Sequence, residues 1–154
     1  MERLKVGARA PSFTLMNQNG DRVTLGDFVG RRLVVYFYPA DDTPGCTKEA
    51  CAIRDNWGEF ERRGAVVLGV SADSVASHQR FKAKYHLPFT LLADSEHEVA
   101  DLYGTWKPKH FAGKSFLGMV RATFLIDAEG KVAKVWPKVD PSQHADWVLA
   151  ELPE

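Results

Sequence analysis

The run Leu33 to Tyr38 constrains the fold more than any other part of the chain: six apolar or aromatic residues with no polar interruption. Both faces of such an extended segment must be covered, which is the situation of an interior strand in a sheet with helices on either side. It is the longest apolar run in the chain, and a membrane-spanning helix needs roughly 18 such residues. The strand is taken as Arg32 to Tyr38, and Ala65 to Ser71 forms a second buried strand of the same kind. Residues 46–63 between them read as one helix closed by Gly64.

The rest of the chain continues the alternation. Phe13-Thr14-Leu15 and Val23-Thr24-Leu25 flank Asn19-Gly20, a hairpin turn signal near the N-terminus. A helix runs from Ser74 to about Tyr85, a strand from Phe89 to Leu92, and a short helix from Glu96 to Tyr103. Residues 104–119 show no period and read as a loop carrying Lys107, Lys109 and Lys114, with Trp106, Phe111 and Phe116 as loop anchors. Thr123 to Ile126 and Lys131 to Trp136 make a closing hairpin, and Asp140-Pro141-Ser142-Gln143 supplies a cap and capping-box partner for a last helix. This order implies an α/β fold: a central mixed sheet flanked by helices on both faces, with an N-terminal β-hairpin. At 154 residues, without repeats or low-complexity tracts, the chain reads as a single domain, residues 1–154.

Charge and cysteine usage narrow the function. Lys+Arg and Asp+Glu both number 20, so no global field is available to hold nucleic acid or an anionic membrane. Met1-Glu2-Arg3-Leu4-Lys5 has no apolar stretch behind it and is not a secretory signal, which points to the cytoplasm. Two cysteines are too few for a disulfide scaffold or a cysteine-rich zinc site. The five histidines, His78, His86, His97, His110 and His144, lack paired ligand spacing and read as plain surface or core residues, so no metal is expected.

Cys46 follows Tyr38-Pro39-Ala40-Asp41-Asp42-Thr43-Pro44-Gly45, a segment joining a buried strand to a helix. That is the carboxyl end of the strand, where open α/β sheets build their sites. With Thr43 as N-cap, Pro44 is N1, Gly45 is N2 and Cys46 is N3. A sulfur there meets unpaired backbone N–H groups and the positive end of the helix dipole, both of which favour thiolate over thiol. The bland alternative is a small buried cysteine behind an ordinary helix cap. Cys51 lies five residues on; at about 100° per residue it sits about 140° around the helix, with the Cα atoms roughly 8 to 9 Å apart. A disulfide needs less than about 7 Å, so the pair either never bonds or bonds only when the first turns unwind. The spacing also argues against an ordinary dithiol reductase, which would carry Cys-x-x-Cys.

Pro39-x-x-x-Thr43-x-x-Cys46 resembles the active-site motif of the peroxiredoxins, thiol peroxidases of thioredoxin-like fold. Asp42-Thr43-Pro44-Gly45-Cys46-Thr47-Lys48-Glu49-Ala50-Cys51, followed by Arg54-Asp55, is similar to the bacterioferritin-comigratory or peroxiredoxin Q branch. Arg121-Ala122-Thr123-Phe124-Leu125-Ile126-Asp127 and Gly7-x-x-Ala10-Pro11-x-Phe13-x-Leu15 match further motifs of that branch. The resemblance implies a peroxidatic Cys46 whose thiolate attacks the peroxide O–O bond. Thr43 would contact the sulfur and a peroxide oxygen, Arg121 would stabilise the thiolate and orient the peroxide, and Pro39 would shield the site. Glu49 would hold Arg121. Cys51 would resolve the Cys46 sulfenic acid as an intramolecular disulfide, giving an atypical 2-Cys, thioredoxin-dependent peroxidase for hydrogen peroxide and organic hydroperoxides. Thioredoxin is the implied reductant, with glutaredoxin as the alternative, and no prosthetic group is needed. The chain is expected to act as a monomer. A thiol sensor that passes its oxidation to a protein, and a thiol–disulfide exchange protein, would use the same Cys46 without sustained turnover of peroxide.

Overall fold

The computed structural model describes residues 4–153; the reading of residues 1–5 as no secretory signal falls partly outside them. In chain order the elements are β1 (Thr14–Asn17), β2 (Arg22–Thr24), β3 (Arg32–Phe37), α1 (Pro44–Asp55), α2 (Trp57–Arg62), β4 (Ala65–Ser71), α3 (Val75–Tyr85) and β5 (Thr90–Ala93). They continue as α4 (Glu98–Leu102), β6 (Trp106–Phe111), β7 (Lys114–Met119), β8 (Ala122–Ile126), β9 (Val132–Trp136) and α5 (His144–Glu151).

Seven strands form one mixed sheet in the order β2-β1-β5-β4-β3-β8-β9. β3, β4 and β5 run parallel, while β8, β9 and the β1–β2 hairpin join antiparallel. The apolar run in β3 is central, as its composition demands, and its side chains alternate between two cores. Val34, Tyr36 and Tyr38 pack with Cys46, Ala50 and Ile53 of α1, Phe60 of α2, Phe81 of α3, and Ala145 and Val148 of α5. Leu33, Val35 and Phe37 pack on the other face with Val99 and Ala100 of α4, Tyr103 and Phe124. The two-faced arrangement expected from the sequence is therefore present. No helix among the described residues is long and apolar enough to cross a membrane.

Three elements differ from the sequence expectation. The helix expected over 46–63 is two helices that break at Asn56, whose φ of −110° leaves the helical region. The Asn56 amide donates to the Ala52 carbonyl at 2.8 Å, a side-chain bond that competes with the backbone ladder. The expected loop over 104–119 contains a hairpin, β6 paired with β7. Most of its side chains are exposed on both faces, so no period-2 pattern marks it. Ala112 and Gly113, both at positive φ, form its two-residue turn. Finally, α5 starts at His144, because Asp140 spends its carboxylate on the backbone N–H and hydroxyl of Ser142 and forms a tight turn instead of a capping box.

Candidate active site

β3 ends beside β4, and Tyr38 still bonds across, its N–H donating to the Val70 carbonyl at 3.0 Å. The chain then leaves the sheet through residues 39–43 and enters α1. Thr43 is the N-cap, with extended φ and ψ of −94° and 156°, and Pro44 begins the helix, so Cys46 occupies the third helical position as expected. Cys46 is 1% exposed, and its sulfur lies among the core residues that α1 presses onto the sheet.

Arg121 reaches this sulfur from the strand-entry position just before β8. Its Nη1 donates to Cys46 Sγ at 3.3 Å and to Glu49 Oε1 at 2.7 Å. Burial opposes the Arg121 charge, but Glu49 and Cys46 outweigh it and hold the guanidinium above its ordinary value. The same planar fork leaves other N–H groups for a second anionic or polar oxygen. Glu49 is fully buried, so its charge must be paired. Gly45 makes the approach possible: a Cβ there would stand 3.0 Å from Arg121 Nη2.

The Thr43 hydroxyl donates to the Ala40 carbonyl at 2.8 Å rather than capping the helix. With its proton committed, the oxygen presents lone pairs to whatever enters beside it. Pro39 is half-buried at the start of the same loop. Cys51 is also only half-buried and lies on the same unbroken α1 as Cys46; both thiols are free. Arg54, one turn beyond Cys51, holds the Tyr85 carbonyl at 2.8 Å.

α3 fixes the loop through contacts that the sequence did not reveal. Asp41 accepts from Tyr38 Oη at 2.6 Å and Ser77 Oγ at 2.8 Å, and its Oδ2 lies 2.7 Å from His78 Nδ1. Burial pushes the Tyr38 phenol well up, so it remains a donor. Asp42, at a left-handed φ of 56°, is held by Lys84 Nζ at 2.7 Å and Tyr85 Oη at 2.6 Å. Those bonds keep its carboxyl below the ordinary value. Asp41, Asp73 and His78 bring ligand-type atoms within 4.8 Å of one another. Hydrogen bonds already account for them: Asp73 Oδ2 takes the Asp41 N–H at 2.8 Å and the Ser71 hydroxyl at 2.6 Å, and His78 Nε2 sits 2.9 Å from the Leu92 carbonyl.

Two further residues escaped the sequence. His144, fully buried on α5, places Nδ1 2.9 Å from Glu49 Oε2 and Nε2 2.7 Å from Thr123 Oγ1. No spacing signal links residues so far apart. Lys109 of β6 was expected on a solvated loop, yet its ammonium donates to the Met119 carbonyl at 2.6 Å. Burial and then the charge of Arg121 push that ammonium down, with Cys46 acting against them. One cavity, of about 480 Å³ and lined by Gly30, Arg32, Leu125, Asp127 and Glu151, lies at the start of β3, the end of the strand away from Cys46; another, of about 680 Å³, lies against Asp41, Asp42 and α3.

The sequence matches the family model described as AhpC/TSA family over residues 6–135. It is 50% identical over 149 residues to a protein of Coxiella burnetii named putative peroxiredoxin bcp, covering 97% of this chain and 99% of that one. It is 47% identical over 154 residues to peroxiredoxin Bcp of Escherichia coli K12, covering 100% and 99%. Among solved structures, Xanthomonas campestris peroxiredoxin Q aligns with a TM-score of 0.87 at 41% identity, over 96% of this chain and 93% of that one. A cysteine-to-serine mutant of Xylella fastidiosa PrxQ aligns with a TM-score of 0.92 at 33% identity, over 98% and 96%.

Proposed function

Because this chain belongs to the AhpC/TSA family, and within it to the peroxiredoxin Q or Bcp branch, we propose that it reduces hydrogen peroxide and organic hydroperoxides through Cys46 and Cys51. The observation that carries the proposal is the Arg121 guanidinium held on the Cys46 sulfur by a buried carboxylate. In the first step the Cys46 thiolate attacks the terminal peroxide oxygen and the O–O bond breaks. Sulfur is oxidised to a sulfenic acid, and the hydroxide or alkoxide leaves with a proton as water or alcohol. The remaining Arg121 donors orient the peroxide and meet the charge that builds on the leaving oxygen. Thr43, its own proton given to Ala40, accepts from the peroxide O–H. Pro39 keeps bulk water from the sulfur.

In the second step the Cys51 thiolate attacks the sulfenic sulfur and expels hydroxide, leaving an intramolecular disulfide. Both cysteines lie within α1, so the first turns of α1 must unwind before the bond can close. A reduced dithiol protein of the thioredoxin class, with glutaredoxin as the alternative, then takes up the disulfide by exchange. The enzyme would act as a monomer in the cytoplasm, without metal or prosthetic group. The related bacterioferritin comigratory protein of Xanthomonas campestris has alkyl peroxide reduction activity, which supports including organic hydroperoxides. The test is steady peroxide consumption with thioredoxin, its reductase and NADPH, abolished in Cys46→Ser. Oxidation of Cys46 without sustained turnover would instead indicate a sensor.

A further inference from the structure

Glu49 sits between the two cysteines on α1, and each of its oxygens has a close polar neighbour. Oε1 takes Arg121 Nη1 at 2.7 Å, and Oε2 lies 2.9 Å from His144 Nδ1. The latter contact is close but lacks hydrogen-bond alignment. Two acceptors at that distance would repel, which favours the tautomer that carries the proton on Nδ1. In that tautomer Nε2 accepts from the Thr123 hydroxyl at 2.7 Å. Thr123 belongs to β8, directly beside β3, and is fully buried. The Tyr36 ring packs on the imidazole, centroids 5.4 Å apart, and Ala145 and Val148 seat α5 in the same core.

This chain of contacts ties the mobile part of the cycle to the rigid sheet. When α1 unwinds for Cys51 to reach Cys46, Glu49 must move, and a buried imidazole and guanidinium lose their carboxylate. While Glu49 stays, α1 stays wound and Arg121 stays on the sulfur. We propose that His144, braced by Thr123, is a positioning residue that latches Glu49: it sustains the geometry for peroxide attack and restrains the unwinding that forms the disulfide. The latch rests on the roles given above to Cys46 and Cys51. It also assigns a consequence to its strength, because a firmer latch prolongs the sulfenic acid and exposes it to a second peroxide.

The test is a rapid-quench single turnover of the reduced full chain with one equivalent of hydrogen peroxide. Thiol trapping and mass analysis resolve the sulfenic acid from the disulfide. His144→Leu should slow the first step about tenfold, the scale of one lost charge-assisted contact, and speed the second several-fold. His144→Asn, which keeps a donor near the Nδ1 position, should restore most of both rates. Thr123→Val should shift both steps in the same senses by a smaller factor, and it decides the matter alone if His144→Leu does not fold. Under excess peroxide the yield of sulfinic acid should fall in His144→Leu and Thr123→Val. Half-reactions unchanged, or slowed together, would mean that His144 is only a packed core histidine, and the latch would be wrong. If the wild type itself stops at the sulfenic acid, the resolving role of Cys51 fails, and the latch stands or falls on the first step alone.

Discussion

Arg121 and Cys46, 75 residues apart in sequence, meet at 3.3 Å through one guanidinium nitrogen that also holds Glu49. The contact joins the strand-entry residue of β8 to the first turn of α1, so the position of the sulfur depends on both the sheet and the helix. Lowering a thiol's proton affinity raises the thiolate fraction but makes the sulfur a weaker nucleophile. Fast peroxide reduction must therefore rest mainly on positioning and on donors aimed at the transition state.

Arg121→Ala should slow peroxide reduction by roughly a hundredfold or more. The comparison is best made by stopped-flow on the alkaline plateau, where the sulfur is ionised in both proteins. A deficit that vanished on that plateau would reduce Arg121 to a promoter of ionisation.

Thr43→Val should cost about tenfold or more in the same step, and Thr43→Ser much less, because only the hydroxyl is needed. Thr43 gives no side-chain bond to the helix cap, but its hydroxyl holds the Ala40 carbonyl, so Thr43→Val should also cost about 1 kcal/mol of stability. Equal rates for Val and Ser would remove the hydroxyl from the chemistry.

Gly45→Ala separates stability from activity. Alanine is the better helix former by up to about 1 kcal/mol, so thermal stability should hold or rise. The new Cβ would press on Arg121 Nη2 at 3.0 Å, and peroxide attack should fall several-fold. Full activity would mean that Arg121 can shift without consequence.

The Asp42 clamp has a defined pH signature. Its carboxyl is held below the ordinary value of 3.8 by bonds from Lys84 and Tyr85. A lowered carboxylate stabilises the fold above its unfolded value and loses that contribution as pH falls through the folded one. Asp42→Asn, which tolerates the left-handed φ, should therefore be less stable than wild type at neutral pH, with the gap closing as pH falls below about 4. Denaturant midpoints at several pH values measure it; a gap independent of pH would leave the ion pair without effect.

Much of this architecture is written locally. The uninterrupted run of β3, the Thr43-Pro44 start of α1 and the Asn19-Gly20 turn each follow from side chains acting on their own neighbours, and so does the third-position placement of Cys46. The β6–β7 hairpin was not legible because a ribbon exposed on both faces carries no alternation, and the break at Asn56 depends on one amide turning back to Ala52. In the site, Cys46, Thr43, Arg121 and Glu49 came from motif resemblance, and the structure brings Cys46, Arg121 and Glu49 into contact. His144, Thr123 and the α3 clamp on Asp41 and Asp42 came only from the fold. They act across sequence separations of 21 to 43 residues and more, where no periodicity operates.

The most direct measurement is peptide mapping of the reduced protein a few seconds after one equivalent of hydrogen peroxide, with free thiols trapped. A loss of two hydrogens mapped to a Cys46–Cys51 link is the expected result, and it would carry both the peroxidatic chemistry and the unwinding of α1. Oxidation confined to Cys46 would move resolution to another thiol. Both cysteines remaining free would contradict the peroxidatic role of Cys46 outright.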